Sequence, residues 1–191
     1  MKINLIRHGI TEGNKKKWYY GSSDIPLEPE GIEEIKNFVK DGIYPKPDGQ
    51  KLYTSGLLRT EQTFELIFGE LEHKAEPGFR EYNFGEFERM SYEELKKVPN
   101  YIKWIEDTEG NYVIKGGESL LGFNNRIQRT FANLMAKNED AIVVCHGGVI
   151  SAIMNHYFSE VGEHIFAWVP KPARGYTLEI QGGKPVAYEE I

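Results

Sequence analysis

The chain has 191 residues, 40% of them hydrophobic and 27% charged, with a formal net charge of −6. That length suits one globular domain with a sizeable core, and the acidic balance argues against a nucleic-acid binder, which carries a basic stripe. A single cysteine excludes an internal disulfide, no apolar run approaches the ~20 residues of a membrane span, and the N-terminus lacks a secretory leader pattern, so a cytoplasmic soluble protein is expected.

In chain order, "KINLIR" predicts a first strand that ends on Arg7, His8 and Gly9. Lys15, Lys16 and Lys17 follow as the only basic cluster, either a solvated loop or a mouth that attracts anions. "EGIEEIKNFVKDG" spaces Ile32, Ile35, Phe38 and Val39 as a helix, with Gly42 just past its end. "KLYTS" predicts a second strand, and "GLLRTEQTFELIFGEL" a helix with Leu57, Leu58, Thr63, Phe64 and Ile67 on its apolar face and Arg59 in its first turn.

Residues 76–117 are the least regular stretch and predict an insertion or lid over the sheet within a single domain spanning 1–191. Inside it, "YEELKKVPNYIKWIEDTEG" reads as two short helices broken at Pro99. "ESLLGFNNRIQRTFANLMAK" predicts a longer helix with Leu121, Ile127, Phe131, Leu134 and Met135 inward. "AIVVCHGG" is a buried strand stopped by two glycines that open the helix "VISAIMNHYF", and "GYTLEIQGGKPVAYEE" predicts a hairpin turned at "GGKP". Strands alternating with helices give an α/β class with a largely parallel sheet.

Ligands of open α/β sheets bind beyond the carboxyl ends of the strands. Three such ends carry Arg7 and His8, then Ser55 and Arg59, then His146 with Gly147 and Gly148. Arginine forks suit phosphate oxygens, a histidine nitrogen can attack phosphorus, and the N-terminus of a helix opening at Gly147 favours an anion. The leaving alkoxide needs an acid. Glu81 in "FREYNFGEFE" is the candidate, with Glu86 and Glu88 as neighbours that spacing alone does not exclude. Cys145 reads as a core residue, because adjacent strand residues face opposite ways and it cannot pair with His146. His73, His156 and His164 show no metal-ligand spacing, and no cofactor motif is present. His156 and His164 are expected at the surface or an interface. The aromatics around Trp18 to Tyr20 and Tyr82 to Trp104 read mainly as core and lid packing, with some of them facing a substrate.

"LIRHGITEGN", followed in order by "YYGSSDIPLEPEG", "YTSGLLRTEQT", "FREYNFGEFE", "GGES" and "VVCHGGVI", resembles the histidine phosphatase superfamily, also called phosphoglycerate mutase-like. The resemblance implies a three-layer α/β/α sandwich, its mostly parallel mixed sheet carrying an antiparallel edge strand. It implies His8 as the phospho-accepting nucleophile, Glu81 as proton donor, and Arg7, Arg59 and His146 as phosphoryl-holding groups aided by Asn14. Gly21, Ser22 and Gly147 would border the substrate, and Glu118 and Ser119 match an element near the site. The chain departs from the family at Gly56, where proline is usual, and at Arg89 and Arg174, each of which could reach an extra anionic group on the substrate or lie on the surface. The implied activity is metal-independent hydrolysis of a small phosphate ester. Mutase-type transfer, α-ribazole phosphatase activity and a non-catalytic phosphate-binding scaffold are the alternatives. The mainly acidic and aromatic segment 86–112 favours hydrolysis over mutase chemistry. Monomer and homodimer both stay open.

Overall fold

The computed structural model describes residues 1–159 and 167–191; His164 lies outside them. The chain begins with β1 (Lys2–Arg7), the short helix α1 (Glu12–Lys15), β2 (Trp18–Tyr19), α2 (Pro29–Lys40), β3 (Lys51–Thr54) and α3 (Leu58–Phe68). Then come β4 (Lys74–Ala75), β5 (Met90–Ser91), α4 (Tyr92–Leu95) and α5 (Pro99–Ile105), with single 3-10 turns at Pro77–Phe79 and Gly85–Phe87. The chain continues through α6 (Leu120–Met135), β6 (Ala141–Cys145), α7 (Gly147–Phe158), β7 (Gly175–Gln181) and β8 (Lys184–Glu190).

Six strands form one sheet in the order β4-β3-β6-β1-β7-β8. The first four run parallel, and β7 runs against β1 with β8 folded back along it at the edge. Alternation along β1 and β6 explains the layers. Leu5, Val143 and Cys145 join the core packed against α6 and α7, where Phe131, Ile150 and Met154 are buried. Ile6, Ile142 and Val144 pack on Phe64 of α3 instead, and Ile35 of α2 sits on the same side with Leu27 and Ala173. The sheet is thus the middle of three layers. Tyr82, Phe87, Leu95, Tyr101 and Ile114, all from residues 76–117, are continuous with the α6–α7 core.

Three residues expected inside face out: Val39, Leu58 and Leu121 are 39%, 41% and 45% exposed. In α6 the buried stripe runs Phe123, Ile127, Phe131 and Leu134, and Leu121 lies two residues, about half a turn, from its start. In α3 the inward face holds Arg59, Thr60, Thr63 and Phe64, so a polar residue takes the place that apolar periodicity assigns to Leu58. Strands β2 and β5, two residues each, pair as a separate ribbon; they and β4 are too short for a periodic signal.

Candidate active site

Strands β1 and β6 end in register, with Arg7 opposite Cys145. The His8 N–H donates to the Cys145 carbonyl at 3.0 Å, so His8 and His146 leave neighbouring strands side by side. Their ring centroids lie 5.3 Å apart at 63°. His8 Nδ1 is 2.7 Å from the Gly9 carbonyl, which can only accept. The proton therefore sits on Nδ1, and Nε2 keeps its lone pair. Burial, with the charges of Arg59 and Arg7, holds His8 well below the usual histidine range and keeps it neutral.

Arg7 is tied down by NH1, which donates to the Pro170 carbonyl at 2.7 Å. Its Nε is buried with no hydrogen-bond partner. A Cβ on Gly147 would stand 3.1 Å from that Nε, so glycine there lets the guanidinium lie against the start of α7. Asn14 Oδ1 accepts from the N–H and hydroxyl of Thr11 at 3.0 Å each. This fixes the amide and leaves Nδ2 as its donor end.

Arg59 is fully buried. Its Nε donates to His146 Nδ1 at 3.3 Å, NH1 to the Ser23 carbonyl at 2.9 Å and NH2 to the Gly21 carbonyl at 2.8 Å. Because His146 Nδ1 accepts, its Nε2 carries the proton and donates to Ser55 Oγ at 2.8 Å. Ser55 and Thr60 pass the direction on to the Leu57 carbonyl. Both His146 nitrogens are thus engaged within the protein. His146 is also pushed far below the usual range by burial and by Arg59.

Glu81 accepts from its neighbour Tyr82 N–H and from Gly148 N–H, each at 2.9 Å. Burial raises its pKa against the pull of those two donors and of both arginines, so the carboxyl stays protonated to higher pH than an exposed glutamate. Arg126 clasps the peptide that carries it. NH1 donates to the Gly78 and Arg80 carbonyls at 3.0 and 2.9 Å, and NH2 reaches the Glu81 carbonyl at 3.5 Å. Glu118 takes the other side of the Arg126 fork at 2.7 and 3.3 Å and accepts the Asn83 N–H. Ser119 caps α6 by accepting from Gly122 N–H.

A cavity of about 1130 Å³ opens in front of these groups, with Arg7, His8, Asn14, Glu81 and Gly147 in its wall. Arg59 and His146 stand behind that wall. Gly21 and Ser22 also stand outside it: their N–H groups go to Glu88 Oε1 at 2.9 Å, and Ser23 N–H goes to Oε2. Trp18, Tyr19, Tyr20, Phe84 and Trp104 supply an aromatic wall. Of the basic cluster, Lys15 pairs with Glu28 and Glu30 and Lys16 with Glu12, while Lys17 lines the cavity. His156, exposed, forms part of the rim.

Arg89 and Arg174 do not reach the cavity wall. Arg89 is exposed with a φ of 62°, its N–H on the Tyr19 carbonyl, and the Arg174 guanidinium lies over the Phe38 ring at 5.3 Å. Gly56 has a φ of 78°, which proline cannot adopt, so the proline expected from the family pattern would not fit this turn into α3. Cys145 is a fully buried free thiol, pushed up by burial. Among the described residues, no three His, Cys, Asp or Glu side chains form a metal-ligand set, and no helix is long and apolar enough to cross a membrane.

Sequence reasoning misses Arg126 altogether, and misses the roles of Gly148, Tyr20 and Glu88, which it names only as a helix opening, a packing aromatic and an alternative acid. Tyr20 stacks under the Arg59 guanidinium at 5.2 Å and bonds the Thr11 hydroxyl at 2.7 Å. The doubled glycine marks Gly148 without showing that it holds Glu81, proximity to Glu81 marks Glu88 without showing that it binds residues 21–23, and a lone arginine at 126 carries no signal.

Parallel strands that bring a tautomer-fixed histidine and an arginine to one rim, with a carboxyl from residues 76–117 facing them, define an α/β protein built to handle a phosphoryl group. The family model of the histidine phosphatase superfamily (branch 1) matches residues 3–189. An adenosylcobalamin/alpha-ribazole phosphatase of Escherichia coli (strain K12) is 28% identical over 162 residues, 81% of this chain and 77% of that protein. A probable phosphatase of Schizosaccharomyces pombe is 31% identical over 172 residues, 85% of this chain and 76% of that one. The crystal structure of a putative alpha-ribazole-5'-P phosphatase from Escherichia coli shares the fold, with a TM-score of 0.85 at 24% identity over 97% of this chain and 93% of that one. That of a phosphoglycerate mutase from Thermus thermophilus matches at 0.74 and 26% identity, over 98% of each chain. The chain belongs to the histidine phosphatase superfamily.

Proposed function

We propose that this phosphatase hydrolyses a small phosphate monoester without a metal, through a phosphohistidine on His8. The observation that carries the reading is the His8 tautomer: Nδ1 is committed to the Gly9 carbonyl, which leaves Nε2 as a neutral nucleophile in a wall shared with Arg7 and Glu81. In the first step Nε2 attacks phosphorus, the ester P–O bond breaks, and the leaving alkoxide takes the Glu81 proton. In the second, the Glu81 carboxylate accepts a proton from water, which attacks phosphorus and releases inorganic phosphate and neutral His8. Arg7 and the start of α7 stabilise the transferring oxygens. Asn14 adds a donor from the first loop. Arg59 and His146 contribute from behind, by charge and by fixing each other's orientation.

Residues 76–117 serve as the cover of one domain, and the setting is cytoplasmic, in keeping with one buried thiol. The aromatic wall supports an ester with an aromatic organic group, and the names of the relatives point to α-ribazole 5′-phosphate as one such ester. Beyond Arg7 the described wall offers one lysine, Lys17, against the Asp107 carboxylate. That is a poor grip for the doubly charged intermediate of a mutase and favours hydrolysis. The test is phosphate release from p-nitrophenyl phosphate in EDTA, with trapping of an acid-labile phosphoenzyme. We expect turnover in the chelator and its abolition, together with the phosphoenzyme, by His8→Ala. Full activity in that variant overturns the mechanism.

A further inference from the structure

Among the described residues, the cavity wall away from the phosphoryl pole contains one buried polar side-chain atom that the fold itself leaves unused. Gln128 projects from α6 into that wall. Its Nε2 donates to the Ala152 carbonyl of α7 at 2.9 Å, which fixes the amide orientation and assigns the remaining end to oxygen. That Oε1 is buried and has no hydrogen-bond partner. A buried carbonyl without a donor is unfavourable, and the atom belongs to a residue bordering open space. Asn155 of the same wall is engaged with both Ser151 and Ser159.

Placement along α7 gives a distance scale. Gly148, which holds Glu81, and Ala152, which holds Gln128, are one turn apart, or about 6 Å along the axis. Glu81 marks where the leaving oxygen is protonated. Gln128 Oε1 therefore lies at the reach of the organic group and beyond that of the phosphoryl group. The same wall carries apolar side chains, Leu120 and Phe123 from α6 and Phe84 and Trp104 from residues 76–117, beside the polar Ser151 of α7.

We propose that Gln128 is a substrate-reading residue: its Oε1 accepts a hydrogen bond from a hydroxyl or N–H on the organic part of the ester. This rests on the phosphatase reading above and narrows it. The substrate class is a monophosphate ester of an uncharged, nucleoside-sized alcohol, with one apolar or aromatic face and a donor about one helical turn from its phosphorylated oxygen. Asp107 in the same wall disfavours a second anionic group.

The test compares kcat/KM for adenosine 5′-monophosphate, its 2′,3′-dideoxy analogue (no ribose donors) and purine riboside 5′-monophosphate (no exocyclic amine), in the unaltered protein and in Gln128→Met. Methionine keeps the volume and removes the acceptor. Turnover of p-nitrophenyl phosphate reports that each protein is folded and active. We expect the donor-bearing member of at least one pair to be preferred by roughly tenfold, the size expected for one buried hydrogen bond, and Gln128→Met to bring that ratio within about twofold of unity. The proposal is overturned if no pair is discriminated, if the preference survives Gln128→Met, or if none of the three esters is turned over by a protein that cleaves p-nitrophenyl phosphate. In each case cleavage of p-nitrophenyl phosphate leaves the phosphatase reading standing; its loss together with phosphoenzyme formation would strike that reading instead.

Discussion

Gly148→Ala puts a methyl group where the Glu81 carboxylate now sits. The new Cβ would stand 3.1 Å from Glu81 Cδ and Oε2, and closer still to Oε1, so the carboxylate must retreat by about 1 Å to regain ordinary contact. A displacement of that size in a reacting group costs roughly 100-fold in rate, about 2.7 kcal/mol on the barrier. The loss should fall on the step that needs the proton. An alkyl phosphate such as 2-glycerophosphate leaves as a strong base and depends on the acid, whereas p-nitrophenolate leaves largely unaided. We expect kcat/KM, which reports transfer to His8 and not the hydrolysis step common to both esters, to drop about 100-fold for the alkyl ester and by less than about tenfold for the aryl ester. Gly148 lies in the first turn of α7, where alanine is the better helix former by about 0.8–1 kcal/mol, so thermal stability should hold or rise while activity falls. An alkyl-phosphate kcat/KM within about threefold of the unaltered protein would refute the placement of Glu81 as the acid.

The same leaving-group signature, at about tenfold, is expected for Arg126→Lys, since one ammonium cannot hold the Gly78, Arg80 and Glu118 oxygens at once; equal losses on both esters would show a general packing defect. In a pH profile of kcat/KM, the active form pairs neutral His8 with protonated Glu81. His8 is depressed, so activity falls only below the ordinary histidine range; Glu81 is raised, so the alkaline limb lies above the ordinary carboxyl range. Glu81→Gln should remove that alkaline limb, and its persistence would assign the limb to another group. Glu88 is held below the usual carboxylate range by the Ser22, Ser23 and Gly21 donors, which outweigh its burial. A depressed carboxyl stabilises the fold above its unfolded value, and that contribution is lost as pH falls through the depressed one. Glu88→Gln should therefore lower Tm by about 2–4 °C at neutral pH, with the difference closing in acid as Glu88 itself protonates; a constant difference across pH would count against the charge as its source.

The main sheet and its helices are legible because buried strands are apolar runs that stop at polar residues. Leu5 and Ile6 alternate sides, and "AIVVC" ends where two glycines begin. The candidate site is legible where it sits at those strand ends: His8 and His146 need no more than adjacent parallel strands to meet. What pattern could not show is contact between remote segments. Glu88 binds residues 66 positions away, and Arg126 reaches back 45 to 48 positions to the Glu81 peptide. Leu121 and Leu58 misled because helical spacing marks candidate apolar faces without saying which face the sheet will meet. Arg59 shows the converse, a charged residue claimed by the interior because backbone carbonyls were waiting for it.

That buried arginine has a consequence for the field inside the cavity. Among the described residues no carboxylate is bonded to Arg59; it is held by the carbonyls of Gly21 and Ser23. The N–H groups of the same short loop point the other way, onto the Glu88 carboxylate. The peptide units of 21–23 are therefore poled between an anion and a cation, like a small permanent electret. They steady the guanidinium through neutral dipoles, and Glu88 adds its charge only from a distance. A carboxylate in direct contact would have cancelled most of the positive potential at that point. Anchored this way, Arg59 stays locked in place while its charge remains felt at His8, where a dianionic phosphoryl group would meet it.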